Sequence, residues 1–173
     1  GFGTWTIRFT AVEAFSSGAV KLVIPDGWSA PQISASSSAG YVTVSSEGTL
    51  GAIPLAIGAR TITVAVDTLD AGQTIDIVYG DATVDLGGRA SAQTDARSGV
   101  EFVVRSDPDG SGDSPIASSP LLDVLAGSPF KLVVSPADTT IIAGDYARYY
   151  LGVEDSEGNA SPRSNDQEIT LLG

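Results

Sequence analysis

The chain has 173 residues, 42% of them apolar, a formal net charge of -12, and no histidine, cysteine or methionine. Without those side chains there is no imidazole base, no thiolate nucleophile, no zinc-cysteine site and no disulfide. The acidity repels nucleic acid and anionic membranes, and suits solubility, divalent cations or a salty medium. The absence of methionine marks a processed chain or a segment of a longer one, and no apolar run approaches the length of a membrane span. Thr, Ser, Val, Gly and Ala dominate, and no window of helical length keeps a 3.6-residue apolar period. The composition predicts an all-β chain.

The first predicted strand, 4–11, alternates strictly, with Trp5, Ile7, Phe9 and Ala11 on one face. Ser16-Ser17-Gly18 reads as a break before a second strand over 19–24, closed by Pro25-Asp26-Gly27. Residues 28–40 read as a long connection and 41–45 as a third strand. Residues 50–57 form a weaker strand, where Pro54 indicates an edge or a bend. The clearest alternation is 60–66, with Ile62, Val64 and Val66 inward. Leu69-Asp70-Ala71-Gly72 turns the chain into 73–80, where Ile75, Ile77 and Tyr79 share a face. A short strand is expected over 81–86 and a mobile polar loop over 87–98. Residues 100–105 pair with 116–118 or with 121–125 across an acidic turn. Turn signals recur about every ten residues, the rhythm of a β-sandwich, so residues 1–127 hold about eight or nine strands and one complete domain.

From Gly127-Ser128-Pro129 a second unit opens, residues 128–173, with strands over 130–134, 139–142, 146–154 and 167–172. Its inward positions are Ile141, Ala147, Tyr149, Leu151, Val153, Ile169 and Leu171. Three or four strands are fewer than a sandwich needs to cover two sheet faces. Six large side chains left uncovered, at roughly 1.5–3 kcal/mol each, leave a deficit on the order of 10 kcal/mol. The missing cover comes from further sequence of a longer chain, from a strand lent by another copy, or from residues 1–127.

Three stretches invite a chemical reading. Asp107, Asp109 and Asp113, spaced by Gly110 and Gly112, read either as a calcium loop or as an Asp/Gly hairpin turn. Asp155, Glu157 and Asn159 form a second oxygen-rich turn, for which the plain turn is the stronger reading. Trp5 alternates with Ile7 and Phe9 and belongs to the core, whereas Trp28 either plugs the sandwich end or offers a ring to a glycan. Tyr146, Tyr149 and Tyr150 are candidate interface residues, together with Ile169 and Leu171. No carboxylate pair is bracketed by substrate-binding aromatics, and neither Lys21 nor Lys131 accompanies a serine in a nucleophile motif, so no enzyme activity is expected.

The Lys131-Leu132 strand, the Ala143-Gly144 turn, the Tyr149-Leu151-Val153 strand running into Asp155-x-x-Gly158-Asn159, Pro162, and Ile169-Thr170-Leu171 carry a likeness. Through them, residues 129–172 resemble the opening half of the bacterial immunoglobulin-like domains of invasin/intimin-type surface proteins, with the family's later strands missing. The resemblance implies tandem immunoglobulin-like sandwiches, the second incomplete, in an exported, non-enzymatic protein. The resulting expectation is a structural component of an extracellular surface layer, filament or stalk. It would assemble with other copies or with further domains of a longer chain, and calcium would stiffen its acidic turns. The alternatives are a spacer module of a large secreted enzyme and a calcium-dependent adhesin that binds glycan through Trp28.

Overall fold

A computed structural model describes residues 1–140, 142–144, 146 and 148–161. The predicted last strand over 167–172, with Ile169 and Leu171, lies outside the described residues, as do Ile141, Ala147 and Pro162. The described chain is all-β and forms two compact units, residues 1–94 with 98–123, and residues 95–97 with 124–173. No helix is long and apolar enough to cross a membrane.

The first unit holds a three-stranded and a five-stranded antiparallel sheet. In the three-stranded sheet β2 (Trp5–Thr10) and β4 (Val42–Ser46) flank β7 (Thr74–Tyr79). In the five-stranded sheet the order runs β11 (Ser114–Pro115), β10 (Val103–Asp107), β3 (Phe15–Val23), β6 (Thr61–Leu69), β5 (Thr49–Gly58). Period-two alternation places Val20 and Leu22, Ile62, Val64 and Val66, and Ile75, Ile77 and Tyr79 in one buried core. The Phe9 ring of one sheet meets Phe15 of the other edge-on at 5.7 Å. The arrangement is consistent with a β-sandwich.

Two short pairings complete the unit. β1 (Phe2–Gly3) lies beside β8 (Ala90–Ser91), and β9 (Arg97–Glu101) beside β12 (Leu121–Val124). Predicted strand 100–105 is thus divided at Phe102: its first part pairs within 121–125, one of the two predicted partners, while its second part pairs with Ser114–Pro115 and not with 116–118, which form no strand. β10 takes β11, β9 takes β12, and the Phe102 N–H donates to the Pro120 carbonyl between them at 2.9 Å.

Other predicted elements are revised. Ser16-Ser17-Gly18 is no break: β3 runs through it against β6 in unshifted register from Phe15↔Leu69 to Val23↔Thr61. Ser17 takes φ 58°, and a side chain at Gly18 would stand 2.1 Å from the Asp107 carbonyl, so the strand continues where glycine lets β10 approach. Residues 81–86 form no strand. Asp81 is buried, accepting from Thr43 Oγ1 at 2.6 Å and from the Thr83 N–H at 2.8 Å. The stretch 87–98 includes β8, the buried Ala90 and the start of β9.

In the second unit β13 (Lys131–Pro136) and β14 (Tyr149–Glu154) pair from Lys131↔Glu154 to Pro136↔Tyr149. The register collects Leu132, Val134, Tyr149, Leu151 and Val153 on one face. The other face carries the Lys131–Glu154 ion pair at 2.9 Å.

Candidate functional site

The acidic turn after β10 is built by its own donors. Asp107 accepts from the Gly112 N–H at 3.2 Å, and Asp109 accepts from the Ser111 N–H at 3.0 Å and from Ser111 Oγ at 2.6 Å. Asp113 turns the other way: one oxygen takes Lys21 Nζ at 2.8 Å and the other takes Arg105 Nε. Those two cations hold the Asp113 carboxyl at a pKa of about 2. The three carboxylates therefore share no partner. Among the described residues no group of three or more acidic side chains is placed to hold a metal ion. The arrangement is that of the hairpin turn, with Gly110 and Gly112 at positive φ.

The second oxygen-rich turn is more saturated still. Asp155 is buried. Its Oδ1 accepts from the N–H groups of Glu157 at 3.0 Å and Asn159 at 2.9 Å. Its Oδ2 accepts from the Gly127 N–H at 2.7 Å and from Asn159 Nδ2 at 2.9 Å. Four donors fill the four lone-pair positions of a carboxylate and leave none for a cation. Asn159 together with the backbone donors of Gly127, Asn159 and Glu157 lowers the Asp155 pKa to about 2. Asp155 is thus the organiser of the turn that the Asp155-x-x-Gly158-Asn159 pattern marks in the sequence.

Trp28 is only 3% exposed. Trp5 packs edge-on to it at 4.8 Å and Phe102 at 4.9 Å. A sugar needs an open ring face, and the buried Trp28 offers none among the described residues. Its Nε1–H finds no partner among the described residues. Of the candidate interface tyrosines, Tyr146 is 97% exposed. Tyr149 is 61% exposed and shares its sheet face with Leu132 and Val134, at 47% and 54%. Tyr150 is also exposed, on the opposite face.

One feature of the first unit has no counterpart in the sequence reading. On one flank the sandwich is closed, because β4 passes directly into β5 through Glu47 and Gly48. On the other flank β2 and the stretch from β11 to β12 stand apart, and a groove of about 700 Å³ lies between them. Phe9, Val12, Pro108 and Ile116 are among its walls. Two smaller hollows of about 280 and 160 Å³ share lining residues and extend it past Ile7, Val104, Trp5 and Phe102. Trp5 and Ile7 occupy inward positions of β2 yet are only half-buried, because the groove opens beside them.

Parity settles which backbone groups face this opening. The Ala11 N–H donates to the Gln73 carbonyl at 3.0 Å, and the Ala11 carbonyl accepts from the Gly72 N–H at 2.7 Å. Residues of that parity, Trp5, Ile7 and Phe9, turn their backbone groups toward β7. Thr6, Arg8 and Thr10 turn theirs toward the groove. The opposite rim carries Pro115 and Pro120, which have no N–H to offer.

Compared with family models, with curated proteins and with solved structures, the chain matches none.

Proposed function

We propose that this chain is a non-catalytic structural module of an extracellular layer, filament or stalk. It is built of tandem immunoglobulin-like β-sandwiches of the bacterial surface-protein type, the second incomplete, and assembles by sheet packing and strand pairing. The observation that carries the reading is the apolar face shared by β13 and β14. There Leu132, Val134 and Tyr149 stand about half exposed or more, on a sheet with two strands among the described residues. An exposed apolar face of this kind is covered by another sheet or another molecule. An acidic surface with few lysines keeps such a module soluble until its contacts are made.

Sedimentation velocity over a wide concentration range, with negative-stain electron microscopy of the concentrated sample, tests the proposal. The expected result is a mass that grows with concentration and ordered polymers on the grid. Val134→Asp should shift the equilibrium toward monomer without altering the first unit. A monodisperse monomer at every concentration would sink the proposal.

A further inference from the structure

We infer that two copies of this chain pair through β5, edge to edge and antiparallel about a two-fold axis at Ala56, so that the five-stranded sheet of one copy runs on into that of the other. This contact rests on the self-assembly reading above and gives its strand pairing a location.

β5 is the longest strand among the described residues and stands at the border of its sheet. β4 runs into it through Glu47 and Gly48 but stays in the other sheet and gives it no ladder partner. Border strands are usually guarded by charged side chains, prolines or bulges. Of the described strands longer than five residues, β5 alone carries no charged side chain. Its guard is Pro54 with the register shift between Leu50 and Leu55, and that guard covers only the first half. The second half is regular, paired from Leu55↔Val64 to Gly58↔Thr61. In a chain of net charge -12, the uncharged stretch 48–59 lets two copies approach without setting carboxylate against carboxylate.

The ladder decides which backbone groups of β5 are free. The Ile24 N–H donates to the Arg60 carbonyl at 2.9 Å, so by alternation Ile62 and Val64 turn their backbone groups to β3, and Thr61 and Thr63 turn theirs to β5. Opposite those threonines, Gly58 and Ala56 face β6. Leu55 and Ile57 therefore turn N–H and carbonyl outward, where no described residue meets them. Their side chains lie on the face of the fully buried Val64 and Ile62, yet are themselves only half-buried.

The β5 of a second copy supplies what this edge lacks, in one register. With Ala56 on the axis, Leu55 of each copy stands opposite Ile57 of the other, and the two pairs make four backbone hydrogen bonds. The leucines and isoleucines of both copies then adjoin on the buried face. Pro54 falls opposite Gly58, where an added Cβ would find nothing within 4 Å, so its ring meets no side chain there. Centring the axis on Ile57 would set Leu55 against Ala59, whose φ of 52° is not extended. Centring it on Leu55 would draw in Ile53 from the shifted segment. The contact is isologous and closes at a dimer, so growth beyond two copies is left to the apolar face of β13 and β14.

The chain has no cysteine, so one introduced thiol reports one contact. Full-length Ala56→Cys and Ala52→Cys, both at exposed positions of β5, are mildly oxidised side by side. Facing residues of a non-hydrogen-bonded antiparallel pair have Cα atoms about 4.5 Å apart, inside the disulfide range. The two copies of residue 52 would stand roughly 25 Å apart, at about 3.4 Å per residue. The expected result is a linked dimer from Ala56→Cys, roughly tenfold more than from Ala52→Cys. Ala56→Glu sets two like charges at the axis, and should remove the dimer from sedimentation profiles while the circular dichroism stays that of the unmodified chain. Equal linking at both positions, or a dimer that survives Ala56→Glu, overturns the β5 contact. Absent linking in Ala56→Cys, while the unmodified chain still grows in mass with concentration, overturns that contact and leaves the self-assembly reading standing. No linking and no growth removes both.

Discussion

The indole of Trp28 brings two effects of opposite sign to the first unit. Its rings pack against Trp5 and Phe102, while its N–H is buried without a partner among the described residues. Truncating a buried tryptophan to alanine costs about 3–5 kcal/mol. An unsatisfied buried donor costs about 1–3 kcal/mol, which a phenylalanine removes. Urea unfolding should therefore show Trp28→Ala severely destabilised and Trp28→Phe far closer to the unmodified chain. Equal losses in both would mean that the N–H is satisfied in solution. Asp155 makes the contrary case, a buried carboxylate with every lone pair used. Its folded-state pKa of about 2 lies below the ordinary value of 3.8. Its contribution to stability is therefore present above that ordinary value and is lost as pH falls toward 2. Asp113, held at about 2 by Lys21 and Arg105, adds a loss of the same sign in the same window. Melting temperatures from pH 6 down to pH 2 should fall most steeply below about pH 4. Asp155→Asn, which puts an amide N–H₂ among donors, should lower the melting temperature at pH 6 and flatten that acid limb. An acid limb unchanged in the variant would refute the role given to Asp155.

At the scale of elements, what the sequence made legible is what local physics decides. Strict alternation located β2, β6 and β7, because a strand with one buried face must repeat every two residues. Pro54 was a sound edge signal. β5 is the border strand of its sheet, and its register against β6 shifts between Leu50 and Leu55, where the proline lies. The misread stretches were those decided by distant partners. Ser16-Ser17-Gly18 has the composition of a turn, but β6 offers eight residues of matching ladder and Gly18 admits the Asp107 backbone. Residues 81–86 have strand composition, but Asp81 is claimed by Thr43, 38 positions away. The acidic turn shows the same limit at its site. Spacing alone made Asp107, Asp109 and Asp113 a plausible calcium set. Lys21, 92 positions from Asp113, is invisible to any local pattern. The groove was illegible for a related reason. A free edge follows from sheet order, and sheet order is a property of the whole topology.

For the whole molecule, the decisive quantity is charge. Each copy carries a net charge of -12 with an isoelectric point near 4.1. The proposed polymerisation would bring many such surfaces together. The repulsion would sum over the acidic surfaces of both copies. Screening therefore acts mainly on the repulsive side. The Debye length falls from about 30 Å at 0.01 M salt to about 10 Å at 0.1 M and about 3 Å at 1 M. Over that range long-range repulsion between copies vanishes. The proposed apolar contacts of Leu132, Val134 and Tyr149 would not be screened by salt and would be strengthened by excluded salts such as sulfate. Assembly should consequently increase with ionic strength at pH 7, measured as weight-average mass by sedimentation at fixed protein concentration. Sodium sulfate should promote it more than sodium chloride at equal ionic strength. If charge pairing rather than apolar burial were the main attraction, added salt would dissolve the polymers. That outcome would remove the apolar sheet face as the surface proposed to hold copies together.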